Sequence, residues 1–295
     1  MDKFPTHAQS ALTTTELRVS AVVVVSAVGA RAAASVRLDL CLRSILADPW
    51  IDELIIVDLG ADASISSMLR AFQADRRDVK LIAAAGELSA AAAANRAVET
   101  ARGALLLFLD PDVVLQRGAV ARLAAAGGAA RTPCIVGGRL IDIEGRDRSA
   151  ARAGALNAFS AIAVAMDLPT SKRKRRRSGG AATQVAAVSG SFMLIPRGDF
   201  LALDGFDEAF VTDAADLDLC RRAAAAGGSV LFQPSASGVQ FDRGPRGRRL
   251  AQGLALFASK SAKTPLEKAF AAVAGPALVV LLGLKDLVLG RPPVR

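Results

Sequence analysis

The chain has 295 residues, a formal net charge of +9 and a single histidine, His7. One histidine in a polar N-terminal stretch excludes a Ser-His-Asp or Cys-His arrangement and a His-rich zinc site, so acid–base chemistry falls to carboxylates or, second, to lysine. Cys41, Cys134 and Cys220 form no CxxC, which argues against a disulfide framework and a zinc ribbon. They read as small buried hydrophobes in a reducing compartment. The first residues, MDKFPTHAQSALTTTELR, are too polar for a signal peptide, so the expected location is cytoplasmic. Six of the positive charges fall in Lys172–Arg177 (KRKRRR), a local run rather than a basic surface. With no interleaved aromatics and no nucleic-acid-binding fold, no nucleic-acid partner is expected. The run reads first as a solvated, mobile loop and second as a contact for anionic lipid or a diphosphate.

Residues 1–17 read as a disordered tail. Val19 to Ser26 (VSAVVVVS) predicts a buried strand, and Ala27 to Ala34 a small-residue loop at its carboxyl end. Leu38, Cys41, Leu42, Ile45 and Leu46 have helical spacing over Val36 to Ala47, and Asp48-Pro49 ends that helix. Glu53 to Asp58 is a second strand followed by the turn LGADAS. Ser64 to Gln73 is a helix, Val79 to Ile82 a third strand, and Ser89 to Arg102 an Ala-rich helix carrying Asn95. Leu105 to Leu109 is a continuous apolar run, hence a strand buried on both faces, and Pro111 stops it.

Asp110 and Asp112 therefore lie at the carboxyl end of a central strand, where open α/β sheets bind ligands. Closely spaced carboxylates suit Mg²⁺ or Mn²⁺ held with a substrate's phosphates, and the alternative is an Asp-Pro-Asp turn without a ligand. Alternating strands and helices, with runs too apolar for a one-sided sheet, predict a parallel α/β sheet. Strands ending in Ser26, Asp58 and Asp110–Asp112 would form a polar rim. SAVGARAAA after the first strand lacks GxGxxG, which argues against a dinucleotide-binding domain.

Gly118 to Ala126 reads as a helix, Cys134 to Ile143 as the edge of a strand pair, and Glu144-Gly145 as a turn. Ala151 to Met166 is weakly patterned and Lys172 to Ala182 reads as a flexible insertion. Val185 to Ile195 (VAAVSGSFMLI) predicts a strand broken by Gly190, where a ligand or backbone comes close, and Pro196 to Leu203 a short helix.

From Ser189 to Gln240 the chain resembles the second half of a family 2 glycosyltransferase domain of the GT-A fold. The matching residues are the turn Gly205, Phe206, Asp207 and Glu208, then Ala215, Asp216, Asp218 and Leu219 at a helix start, then Arg222, Gly227, Pro234 and Gln240. ELIIVDLGADAS, Asn95 and LFLDPDV match the family's first half, so the resemblance covers about residues 18–242. It looks closest to the rhamnosyltransferase-like branch. The resemblance implies an α/β nucleotide-diphospho-sugar transferase fold with a mostly parallel central sheet flanked by helices. It also implies an inverting transfer of a sugar from a nucleoside-diphosphate donor to an acceptor hydroxyl on a polysaccharide or lipid-linked glycan.

By resemblance Asp216 is the general base. Asp58, Asn95 and Asp110 bind the donor nucleotide, and Asp112, Asp110 and Gln240 hold Mg²⁺ or Mn²⁺. Gly190, Ser191, Asp218 and Arg222 line the acceptor and sugar pocket, with Arg222 supporting it from the helix's next turn. The bland alternative for Asp216 and Asp218 is helix capping. The sequence departs from the family at Ala215, where the family has Glu, and at Gln240, where it has His. An aromatic partner for the nucleobase is missing after the first strand, where AlaValGly stands. Two other readings follow: an inactive nucleotide- or glycan-binding relic or scaffold subunit, and a nucleotidyltransferase.

Arg243 to Arg249 (RGPRGRR) reads as a basic hinge and Leu250 to Ser259 as a helix. Glu267 to Leu289 is apolar, uncharged from Ala269 to Leu284 and interrupted by Gly275-Pro276. That is shorter than the roughly twenty residues a spanning helix needs. A core-packed helical hairpin is the first reading, and a membrane-surface segment over 243–289, peripheral at the inner face, is the second. The expected organisation is a tail at 1–17, the transferase domain at 18–245 with a basic insertion near 170–183, and a helical extension at 246–295.

Overall fold

The structure, a computed structural model, describes residues 18–26, 32–84, 86, 88–148, 180–241 and 247–288. The tail at 1–17, the segment Ala151–Met166, the run Lys172–Arg177 and the first part of the Arg243–Arg249 hinge lie outside them. The elements in order are β1 (Val19–Ser26), α1 (Ala32–Leu46), β2 (Ile51–Leu59), α2 (Ala63–Ala74), β3 (Val79–Ala83), α3 (Ala90–Thr100), β4 (Leu105–Leu109) and β5 (Val113–Leu115). Then follow α4 (Ala119–Gly127), β6 (Cys134–Ile141), β7 (Thr183–Gln184), β8 (Phe192–Pro196), α5 (Arg197–Ala202) and α6 (Ala215–Ala225). The last are β9 (Ser229–Gln240), α7 (Gly247–Ser261) and α8 (Pro265–Val288).

The strands form one sheet in the order β3-β2-β1-β4-β8-β6-β9-β5, with β7 on β9. β3, β2, β1 and β4 are parallel, β8 runs antiparallel to β4 and β6, and β6 is parallel to β9. Side chains alternate across a strand, and both faces here are covered. Ala21 and Val23 pack with Leu38, Leu42, Ile65 and Leu123 of α1, α2 and α4. Val22 packs with Ala94 and Val98 of α3 on the other face, in the layer that also takes Leu219 of α6 and Leu254 of α7. Burial on both faces explains why these strands read as unbroken apolar runs.

The structure corrects four expectations. β6 is an internal strand between β8 and β9, not an edge. Its Gly137-Gly138 pair makes this possible: a Cβ on Gly138 would overlap the buried Phe192 ring, and one on Gly137 would overlap Val188. The strand expected over Val185–Ile195 begins only at Phe192, because the backbone around Gly190 turns out to meet another element. β5 and β9 were not anticipated. Finally, α1 starts at Ala32, inside the expected loop, and α8 runs unbroken through Pro276. The turn between helices falls instead at 262–264, after α7.

The amino-terminal edge of the parallel strands is stapled by Glu53, which is 2% exposed. Its Oε1 accepts from the Ser20 hydroxyl and the Arg102 N–H, both at 2.6 Å, and Oε2 faces Lys80 at 3.0 Å and Arg102 at 3.1 Å. Burial alone would raise its pKa, but the Ser20, Arg102 and Lys80 donors outweigh it and bring it down to about 2. A depressed pKa means that the stabilisation is present above the ordinary glutamate value and is lost as pH falls through the folded value. Glu53→Gln should cost about 2–3 kcal/mol at neutral pH. In thermal melts the gap to wild type should narrow steadily as the pH is lowered from about 4 towards 2.

Candidate active site

Four chain segments meet at the carboxyl edge of the sheet. β4 ends at Leu109 opposite Phe192, so Asp110 stands opposite Ser191, and its N–H donates to the Ser191 carbonyl at 3.0 Å. Pro111 has no N–H for the ladder; the chain turns there and β5 begins at Val113. β5 pairs antiparallel with the end of β9, Val113 against Gln240, and the Phe241 N–H donates to the Asp112 carbonyl at 3.0 Å. Asp112 is buried and Asp110 half-buried. The backbone pairing thus brings Asp110, Asp112 and Gln240 to one corner of the sheet.

The fourth segment is the start of α6. Asp216 lies in its first turn, and its Oδ2 accepts the Gly190 N–H at 2.8 Å while Oδ1 accepts the Leu217 N–H at 2.9 Å. A Cβ on Gly190 would come 3.2 Å from that of Asp216, so the absence of a side chain lets the two segments touch. Ser189-Gly190-Ser191 is therefore a bridge, joined to Asp110 through the Ser191 carbonyl and to Asp216 through the Gly190 N–H. Ala214, just before the helix, has left-handed backbone with φ of 78° and gives no side-chain cap. Left-handed backbone costs an L-residue about 1–2 kcal/mol, and strain of this kind gathers at functional sites.

Burial raises the pKa of Asp216 above the ordinary carboxylate value. The Gly190 and Leu217 N–H groups oppose this, and the neighbouring charges of Asp213 and Asp110 add to it. A carboxylate with raised proton affinity at the carboxyl edge of the sheet is suited to general-base work. Asp213 was not singled out in the sequence; its place three residues before Asp216 was the available signal.

The other expected site residues have different surroundings. Asp58 ends β2 on the same sheet edge, about 10 Å from the level of Asp110 by strand spacing across β1. Its Oδ1 accepts from Gly60 and Ala61 N–H at 3.0 and 2.7 Å, and its Oδ2 from the Ser66 hydroxyl at 2.6 Å, so it shapes its own turn. Asn95 accepts the Phe206 N–H at 2.9 Å and donates to the Phe206 carbonyl at 2.8 Å and to Glu208 at 3.0 Å. Asp218 is 1% exposed and ion-paired with Arg221 and Arg222 at 2.8 and 2.7 Å. Arg222 also donates to the Leu203 carbonyl and, at 2.8 Å, to that of Gly205. Gly205 has φ of 63°, the left-handed region, and a Cβ there would press on Asn95 at 2.7 Å. Asn95, Asp218 and Arg222 thus hold the Gly205–Glu208 turn, where the sequence suggested donor and pocket contacts. Phe108, Phe200 and Phe206 pack beneath that turn with centroids 5.0–5.2 Å apart.

Among the described residues no group of three or more His, Cys, Asp or Glu could hold a metal ion by itself. A pair of carboxylates with an amide oxygen is instead the donor set of a hard cation that shares its shell with phosphate oxygens and water.

A family model described as "Glycosyltransferase like family 2" matches residues 19–281. No curated protein matches the chain. Among solved structures it is similar to GalNAc-T7 with UDP, GalNAc and Mn²⁺, at 16% identity and a TM-score of 0.59, covering 78% of this chain and 44% of that one. The chain therefore spans less than half of that protein. It is also similar to the mannosyltransferase PcManGT from Pyrobaculum calidifontis in complex with GDP-Man and Mn²⁺, at 18% identity and a TM-score of 0.56, covering 95% and 78% of the two chains. A third is S. aureus TarS 1-349 in complex with UDP-GlcNAc, at 11% identity and a TM-score of 0.54, covering 93% and 74%. At such identities the likeness is one of fold: α/β with a mostly parallel central sheet, the GT-A arrangement.

The raised pKa of Asp216 fixes a sign. The folded state holds the proton more tightly than the unfolded chain, so this group's contribution to stability declines as pH rises from the ordinary carboxylate range. Asp216→Asn removes the titration. The melting temperature of wild type relative to this variant should therefore fall as the pH is raised above the ordinary carboxylate value. A difference that stays flat above that value would show that Asp216 has an ordinary pKa.

Proposed function

The chain belongs to glycosyltransferase family 2, and from that premise we propose that it transfers a sugar from a nucleoside-diphosphate donor to an acceptor hydroxyl, with inversion at the anomeric carbon. The observation that carries the reading is the Ser189–Ser191 bridge. It sets a base, Asp216, and the donor-side carboxylates, Asp110 and Asp112, on one frame. Asp216 takes the proton of the acceptor hydroxyl as that oxygen attacks the anomeric carbon and the bond to the diphosphate breaks. Its raised proton affinity and its seat on the bridge serve that step.

Asp112, Asp110 and Gln240 would hold Mg²⁺ or Mn²⁺, which when bound supplies charge neutralisation for the leaving diphosphate. Gln240 offers a neutral carbonyl oxygen, acceptable to Mg²⁺ but a weaker ligand than an imidazole is for Mn²⁺. Asp58, at the end of β2, forms the donor's nucleobase side of the cleft through the turn it shapes. Asn95, Asp218 and Arg222 serve the reaction indirectly, by fixing the Gly205–Glu208 turn and hence the start of α6. The resemblance over about residues 18–242 looks closest to the rhamnosyltransferase-like branch, which favours a hexose donor, and a polysaccharide or lipid-linked glycan is the acceptor class.

Ala215 and Gln240, where family members carry Glu and His, favour one competing reading: a donor-binding or scaffold protein without turnover. Thermal melts of the protein with UDP-, dTDP- and GDP-sugars, each with Mg²⁺, with Mn²⁺ or without metal, test the donor site. A ligand at a hundredfold excess over its Kd stabilises the fold by about 2.7 kcal/mol. One nucleotide sugar should raise the melting temperature in a metal-dependent way, and Asp112→Ala should abolish that rise. No rise with any nucleotide sugar would overturn the donor site, and pyrophosphate release during turnover would point to nucleotidyl transfer instead.

A further inference from the structure

Over Leu266–Val280, among the described side chains, helix α8 carries an outer face without a polar group. Leu266, Val273 and Val280 recur every seven residues, so they drift only about 20° from one to the next around the helix. They are 73%, 74% and 61% exposed. Ala269, Ala272, Pro276 and Ala277 are exposed as well. At 3.6 residues per turn these seven positions share an arc of about 140°. The opposite side packs inward: Ala271 is buried, and Gly275 lies so near α7 that a Cβ would stand 3.2 Å from that of Ala255. A surface helix normally turns charged residues to water, and one that is apolar all round is covered by something.

We propose that this outer face lies on an anionic lipid surface. Charge selects lipid as the occupant. Lys263 and Lys268 are exposed at the start of α8, and in the sequence Arg248 and Arg249 stand at the start of α7, the other helix of the hairpin. Glu267 is the acid nearest that end, and its Oε2 is turned to the helix cap, accepting from the Lys263 and Thr264 N–H groups at 2.7 and 3.0 Å. Apolar arc and flanking cations together are the pattern of a helix lying in the interfacial plane. Spanning is not the alternative, because no helix among the described residues is long and apolar enough to cross a membrane.

The hairpin is also firmly joined to the segment that leads into α6 and Asp216. A Cβ on Gly253 of α7 would overlap the Asp213 carbonyl. The Thr212 hydroxyl donates to the Arg249 carbonyl at 2.9 Å, and Lys260 pairs with Asp207. Seating α8 on lipid would thereby fix the orientation of the cleft to the membrane. The attachment itself does not depend on which reaction the cleft carries.

Flotation of the full chain with vesicles tests it. The protein should rise with phosphatidylcholine vesicles containing phosphatidylglycerol and stay below with phosphatidylcholine alone. Val273→Glu with Val280→Glu should abolish flotation while keeping the wild-type melting temperature, since both side chains face outward. Lys263→Gln with Lys268→Gln should lower the partition on the order of tenfold, as should added salt. Wild type that stays below with anionic vesicles, or a glutamate variant that floats like wild type, overturns the proposal. So does a dimer in light scattering that the glutamate pair makes monomeric without any vesicle binding, which would make a second copy the occupant. Donor-dependent melting, read on the same samples, reports separately on the cleft.

Discussion

The hydrogen bond from the Gly190 N–H to Asp216 is the contact on which the candidate site depends. It brings a carboxylate from the start of α6 against a segment that also accepts the Asp110 N–H through Ser191. Without it, Asp216 and the acidic corner at the end of β4 would belong to separate parts of the chain. The bond also opposes the rise in the Asp216 pKa that desolvation and the neighbouring Asp213 and Asp110 charges produce. Destabilised charge of this sort is what a base needs and what a purely structural residue would avoid.

Behind the bridge stands a polar frame with a different task. Arg222 reaches from α6 to the carbonyls of Leu203 and Gly205, Asp218 neutralises it from the preceding turn, and Asn95 takes both main-chain groups of Phe206. The phenylalanines beneath supply the packing, and the Asn and Arg fix the turn's path. The left-handed residues Asp204, Gly205 and Ala214 lie in and after this stretch, so the backbone there is held in place by its contacts rather than by its own preference. The start of α6, and with it Asp216, inherits its position from that frame.

Much of the fold was legible because both faces of the parallel strands are covered, which leaves unbroken apolar runs. β4 was read from Leu105 to Leu109 and found there, and the carboxylates after it came to the expected edge. β9 was not legible: SVLFQPSASG has a Pro, a Gly and several Ser residues that weaken any strand pattern, and only its partners β6 and β5 show why it is extended. β8 was overextended because periodicity cannot see that the Gly190 N–H turns out of the ladder. The roles of Asn95, Asp218 and Arg222 were equally hidden. Each is polar at a family position, but their partners are carbonyls and N–H groups whose proximity is a property of the folded chain. α8 shows the converse, since Gly275-Pro276 suggested an interruption and the helix continues with Pro276 on its exposed side.

The proposed function makes one central claim, that Asp216 accepts the acceptor's proton. The most direct measurement is release of nucleoside diphosphate from the nucleotide sugar that the protein binds, with a glycan acceptor, in wild type and Asp216→Asn at equal donor occupancy. The account predicts donor binding unchanged and turnover lower by about 10²–10⁴-fold in the variant. Turnover of the variant within a few-fold of wild type would contradict it.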